Sequence, residues 1–462
     1  MKEKRSTFSG HLGFILAASG SAVGLGNIWR FPYLAAKNGG GLFILVYIIL
    51  ALTFGFAILT TEIAIGRHTK QGPLTAYKKI DAKWGFLGLI ATVVPAMILP
   101  YYSVIGGWII KYIAVYVTGS GAAAAEDGYF GGFITSDMEP IIWMLIFIAM
   151  TVIIIFSGVE KGIERYSRII MPALLVLIIG ISIFSLTLRN EVKGDVITGF
   201  NGLAVYLIPN IEGMGIKDFI GVIFDAMGQL FYSISVAMGI MVAYGSYVKD
   251  DVNLVQSVNH IEFFDTLVAL LAGLMIIPAV IVFFGEEGMS VGPGLMFVTL
   301  PKVFLAMGKI GALIGFLFFI MVLFAAVTSS VSIMEAIVAS IMDKFKVSRF
   351  KASVISTVWA VILGVIVCLG YTDLYFEYKL PNGAVAQVLD IMDYISNSLL
   401  MPILAFCTFI FIGWIVGDKV IVDEVTNNGE LEFKRRKLYH VMVRYIGPVM
   451  LAILLVKAFG IF

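Results

Sequence analysis

Apolar runs of about 20 residues or more, parted by short polar segments, recur along the whole chain. Runs of that length match the hydrocarbon core of a bilayer. They predict helices, because a helix closes its backbone hydrogen bonds within the segment. About eleven spans follow, over 12–36, 41–67, 86–117, 141–157, 166–188, 217–247, 259–284, 310–342, 350–370, 385–416 and 438–460. The expected fold class is all-α and integral to the membrane, with residues 1–462 forming one multi-pass domain in the lipid bilayer.

Two of the spans are interrupted. Residues 20–32 read Gly-Ser-Ala-Val-Gly-Leu-Gly-Asn-Ile-Trp-Arg-Phe-Pro, inside the first run. Glycine weakens helix there, and arginine at membrane depth is costly. Backbone freed by a break cannot be satisfied by lipid, so the break must face a protein cavity. Bare carbonyls suit a hard cation, and the N-terminal end of the following half-helix suits an anion. The second interruption, 228–239, falls in the sixth span. Spans one and six then open two five-helix halves, 12–188 and 217–416, with 438–460 as an additional helix. Five is odd, so the halves lie in opposite orientation. Matching breaks of this kind mark a midplane binding site in a transporter.

Composition agrees: 60% of residues are hydrophobic, 14% are charged and mean hydropathy is +0.97. A net charge of +1 gives no reason to expect nucleic acid as a partner. Lys and Arg set the orientation. Lys78, Lys79, Lys83, Lys344, Lys346, Arg349, Lys351 and the run from Lys434 to Lys437 lie in segments that are cytoplasmic if the N-terminus is inside. The opposite loops carry Glu126, Asp127, Asp137 and Glu139. The C-terminus then lies outside. Met1 to Phe8 is basic and polar, unlike a cleavable leader. Cys368 and Cys407, both in apolar runs, read as core thiols. No His-Glu-x-x-His, phosphate-cradling loop or nucleophile elbow is present, so no enzyme is expected.

In span eight, Ala325, Thr328 and Ser329 share one helix face. A carbonyl and two hydroxyls there can join the carbonyls of Gly20 and Val23 in a shell of neutral oxygens for sodium. The competing reading has Ser and Thr bonding back to their own helix. Asn27, the carbonyl of Ala22 and Ser233 offer a second set, completed by a substrate carboxylate. Asp265 is a deep carboxylate near that level, or else a solvated helix-end group. Ile98, Met238 and Ile333 are apolar candidates for a side-chain pocket, or ordinary core. Arg30 and Asp393 form the expected outer charged pair, with Gln229 sharing the arginine. Arg5 and Asp343 form the inner one. Glu62 is expected to cap amides freed at the break in span one.

Five stretches carry a resemblance: Gly24-Leu-Gly-Asn-Ile-Trp-Arg-Phe-Pro-Tyr33, Asn38-Gly-Gly-Gly41, Gly228-Gln-Leu-Phe-Tyr232, Ala243-Tyr-Gly-Ser-Tyr-Val248 and Ala325-Ala-Val-Thr-Ser-Ser330. With them the chain resembles the sodium-coupled neurotransmitter symporter family, in particular its bacterial LeuT-like amino-acid members. The resemblance implies a 5+5 inverted-repeat bundle that works by alternating access in the plasma membrane. It implies sodium site one at Ala22, Asn27 and Ser233, and site two at Gly20, Val23, Ala325, Thr328 and Ser329. Substrate contacts carry over to the amides of Leu25 and Gly26, the hydroxyl of Tyr102, and the carbonyls of Ala22, Tyr232 and Ser235. Ser233 and Ser329 border the same site. Arg30, Asp393 and Tyr232 resemble the outer gate; Arg5, Asp343 and Tyr247 resemble the inner one. Gly162 and Pro172 repeat the family's Gly-x9-Pro spacing in span five.

Some features depart from the family pattern. Amine-carrying relatives have aspartate where this chain has Gly24, so the substrate is expected to bring its own carboxylate. An acidic residue in the region of Asp265 replaces the chloride of animal relatives, so chloride is not expected as a cofactor. Many relatives have a twelfth span, so oligomeric state is left open. The expected activity is symport of a neutral, hydrophobic or aromatic L-amino acid with one or two sodium ions. An amino-acid-binding sensor and a proton-coupled transporter on the same fold are the alternatives.

Overall fold

The computed structural model describes residues 7–192, 195–289 and 294–460, and the description that follows concerns these. Helix dominates, as the apolar runs require. Span one is bent by 53° between His11–Ala22 and Gly26–Lys37. Span two is Gly41–Thr69, span three Ala82–Val117, span four Glu139–Phe156 and span five Val159–Leu186. Span seven is Leu254–Phe284, span eight Gly308–Phe345, span nine Arg349–Leu369, span ten Val388–Val416 and span eleven Arg436–Ala458. Each is long and apolar enough to cross a bilayer.

Span six is the exception. Its first helix, Ile216–Ser233, carries Lys217, Asp218 and Asp225, and its second, Ile240–Gly245, is a single short segment. Between them Ser235 and Ala237 stand at φ +54° and +56°, and Gly239 at +72°. Left-handed backbone at non-glycine residues cannot continue a helix and is costly, so it persists only where the surroundings hold it. Both expected breaks are therefore present.

The sequence left some elements unread. A hairpin, Arg189–Val192 with Asp195–Thr198, and a short helix, Gly199–Leu207, lie between spans five and six. An apolar helix, Leu295–Ala306, joins spans seven and eight. Span five begins earlier than expected, so Gly162 falls in its π-helical first turn, Val159–Glu164. Spans three and eight pack extensively at the centre of the bundle, with spans one and six against them.

Candidate substrate and ion site

The two breaks face each other. In span one, a Cβ on Gly24 would stand 2.8 Å from the Ser329 hydroxyl oxygen. One on Gly26 would stand 2.3 Å from the Tyr232 ring. Only glycine permits such an approach. The Ser21 carbonyl, freed where the helix ends, accepts from Ser235 Oγ at 2.8 Å and from Ser329 Oγ at 3.0 Å. Spans six and eight are thus tied to the open turn of span one.

A narrow cavity lies between the breaks. Ala22, Leu25 and Gly26 form one wall, and Tyr232, Ser235 and Met238 the opposite one. Ile98 and Tyr102 close it from span three, Ser329 and Ile333 from span eight. Every residue expected around a substrate is here except Ser233, which lies behind the wall in the cluster described next. Ser21, Gly24 and Asn397 also line the cavity. The Tyr102 hydroxyl is buried and without a hydrogen-bond partner, although it faces the Leu25 amide and Ser329. An unmet donor in so dry a place is costly unless a ligand takes it.

Asn27, Ser233 and Asp265 meet behind the cavity. Asn27 Nδ2 donates to Ser233 Oγ and to Asp265 Oδ1, both at 2.8 Å, and Ser233 Oγ donates to Asp265 Oδ1 at 2.6 Å. Asn27 Oδ1 accepts from the Gly24 amide at 3.0 Å. Asp265 is fully buried in the middle of span seven, which rules out the solvated helix-end reading. Tyr47, which the sequence reading missed, places its hydroxyl 3.1 Å from Asp265 Oδ2 and from Ser233 Oγ. Its only signal was a phenol within the apolar run of span two.

Gly20, Val23, Ala325, Thr328 and Ser329 also come together. A Cβ on Gly20 would lie 3.4 Å from Thr328 Cβ, and Ser329 Oγ lies 3.3 Å from the Val23 carbonyl. Thr328 Oγ1 bonds back to the Phe324 and Ala325 carbonyls at 3.0 Å. The back-bonded arrangement thus coexists with the cluster, and it leaves hydroxyl lone pairs available to a cation. The residues of this second cluster, Gly20, Val23, Ala325, Thr328 and Ser329, carry only neutral oxygens.

Other expectations need correction. Glu62 caps the break in span six, where its Oε1 accepts from the Ala237 amide at 2.8 Å. Gln229 does not share Arg30; its Nε2 donates to the Gly26 carbonyl at 2.9 Å. Arg30 and Asp393 line one wide vestibule without an ion pair within 4.0 Å. The Arg30 guanidinium instead lies 5.4 Å from the centre of the Tyr232 ring. Asp393 accepts from Tyr101 at 3.2 Å and from Asn397 at 2.5 Å.

At the opposite end the chain is closed. Phe8 is buried against Tyr244 and Tyr247, and its amide donates to the Tyr247 carbonyl at 3.1 Å. Tyr247 Oη donates to Glu335 at 2.6 Å, and Arg349 grips the same carboxylate through two bonds of 2.7 Å. Asp343 accepts from the Gly72 amide. Arg5 lies outside the described residues. The sequence counts Arg349 among the basic residues of cytoplasmic segments and does not single out Glu335.

The sequence pattern of the Sodium:neurotransmitter symporter family matches residues 5–122 and 134–461. An uncharacterised sodium-dependent transporter, YhdH, of Bacillus subtilis (strain 168) is 32% identical over 100% of this chain and 99% of its own length. An uncharacterised sodium-dependent transporter of Methanocaldococcus jannaschii is 30% identical over 93% of this chain and 86% of its own. A sodium-dependent dopamine transporter of Caenorhabditis elegans is 24% identical, covering 91% and 75%. Among solved structures, MhsT in complex with L-phenylalanine is similar, with 35% identity and a TM-score of 0.86 over 98% of this chain and 100% of that one.

Proposed function

Because the chain belongs to the sodium:neurotransmitter symporter family, we propose that it carries a neutral, hydrophobic or aromatic L-amino acid into the cell with one or two sodium ions, independently of chloride. Sodium-coupled amino-acid transport is the coarse reading, supported by the sodium-dependent relatives and by the amino acid bound to MhsT. The finer reading rests on the cavity. Its carrying observation is the unpartnered Tyr102 hydroxyl beside Leu25 and Gly26 at the start of a half-helix. Such a place favours a carboxylate.

In this reading the carboxylate meets Tyr102 and the amides of Leu25 and Gly26. The ammonium meets the carbonyls of Ala22, Tyr232 and Ser235. Ile98, Met238 and Ile333 surround the side chain, with methionine adapting to its shape. Sodium at site one takes oxygens from Ala22, Asn27 and Ser233 and from the substrate itself. That direct contact makes each ligand tighten the other. Sodium at site two takes oxygens from Gly20, Val23, Ala325, Thr328 and Ser329. Each sodium charge moving inward gains about 2.3 kcal/mol per 100 mV of potential.

Chloride independence follows from Asp265. Tyr47, Ser233 and Asn27 form a cradle of donors around it, and the fixed carboxylate fills the place of a mobile anion. The open vestibule and the closed end at Phe8 and Tyr247 fit a conformation ready to admit substrate from outside.

The test is uptake into proteoliposomes from a panel of radiolabelled amino acids. Leucine, phenylalanine, tyrosine or tryptophan should accumulate with an inward sodium gradient, in chloride and in gluconate alike. Preference for lysine or glutamate would contradict the pocket. Binding without uptake would make the protein a sensor, and uptake that follows a pH gradient alone would make protons the coupling ion.

A further inference from the structure

Asn397 stands where the substrate cavity meets the outer vestibule and lines both. It lies in a π-helical stretch of span ten, Tyr394–Leu400, a local widening often found at functional positions. Its Nδ2 donates to Asp393 Oδ1 at 2.5 Å and to the Tyr101 hydroxyl at 3.0 Å. A carboxylate only accepts, so the nitrogen faces Asp393 and the oxygen must point elsewhere. That oxygen, Oδ1, is buried and has no partner.

On the same vestibule wall lies the opposite deficit. Arg30 carries five N–H donors, yet it makes no hydrogen bond or ion pair among the described residues; it only overlies Tyr232. Tyr232 and Asn397 both border the two cavities, so the ring that Arg30 overlies and the free Asn397 oxygen share one boundary between vestibule and substrate cavity.

We propose that Asn397 is a positioning residue of the outer gate: its side-chain carbonyl receives Arg30 when the vestibule closes, while its amide holds Asp393 toward the same guanidinium. The carboxamide thus serves as a two-sided splint, satisfying an acceptor on one side and a donor on the other. This rests on the transport reading above.

The test uses the full chain in proteoliposomes, with Cys368→Ala and Cys407→Ala and a single reporter, Ile105→Cys, in the vestibule wall. A membrane-impermeant thiol reagent reads closure, with sodium and with or without L-phenylalanine. L-phenylalanine should slow labelling in the parent. Asn397→Ala should label about fivefold faster than the parent when both ligands are present, the weight of one ordinary hydrogen bond. Asn397→Leu, similar in shape but with neither carbonyl nor amide, should behave alike and stands in if alanine disturbs folding. Asn397→Gln, which keeps both groups, should restore part of the protection. On an Arg30→Gln background, removing the Asn397 carbonyl should add nothing.

Protection in Asn397→Ala and Asn397→Leu equal to the parent overturns the proposal. So does an effect that multiplies on top of Arg30→Gln, which would mean that the carbonyl contacts substrate rather than the gate. A parent that shows neither sodium-dependent binding nor protection fails at the transport reading itself, a distinct result.

Discussion

The Asn27 amide donates to the Asp265 carboxylate at 2.8 Å, joining residues 238 positions apart. Ser233 and Tyr47 complete a ring of donors about that one carboxylate. Replacing Asp265 by serine leaves those donors facing a small space without negative charge. Asp265→Ser is therefore expected to make sodium-driven uptake depend on chloride, with activity falling about tenfold or more when gluconate replaces it. Equal uptake in both salts would refute the assignment.

The Tyr102 hydroxyl makes no well-formed hydrogen bond in the protein itself, although it faces the Leu25 amide and Ser329. Tyr102→Phe should leave melting without substrate unchanged or slightly raised. It should weaken amino-acid binding about tenfold or more, since a hydrogen bond to a charged group contributes roughly 1.5–3 kcal/mol. Calorimetric melting and equilibrium binding read these two effects separately. Unchanged affinity would remove Tyr102 from the substrate site.

The Thr328 and Ser329 hydroxyls donate to main-chain carbonyls. Thr328→Val with Ser329→Ala should disturb the fold little, because each lost bond of this kind contributes on the order of 1 kcal/mol. The sodium concentration giving half-maximal substrate binding should rise about tenfold. A sodium titration of L-phenylalanine binding, beside a melting curve, measures both.

Gly24 leaves room between Ser329 and Tyr102, where a Cβ would already stand 2.8 Å from one hydroxyl oxygen and 3.5 Å from the other. Gly24→Asp would put a carboxylate into the place assigned to that of the substrate. Binding of L-phenylalanine should drop about a hundredfold, from crowding together with like-charge repulsion at short range. Phenethylamine, which lacks the carboxylate, should then compete better than the amino acid. Retained preference for the amino acid would place the carboxylate elsewhere.

Much of this protein was legible before folding. Span lengths, the glycine-rich interruption in span one and the second break at 228–239 all depend on residues near one another in sequence. Helical spacing alone put Ala325, Thr328 and Ser329 on one face, and folding kept them there. Apolar length and the loss of helix at glycine are local effects, so a linear reading reaches them.

What crossed from one span to another had to wait for the tertiary structure. Glu62 serves span six rather than span one, Gln229 holds the Gly26 carbonyl rather than Arg30, and Tyr47 and Asn397 join sites to which no neighbouring residue pointed. Each outcome depends on how far a helix is rotated about its axis and on which neighbour it packs against. Packing of the whole bundle sets that rotation, and shape complementarity among distant side chains is not written in any one segment.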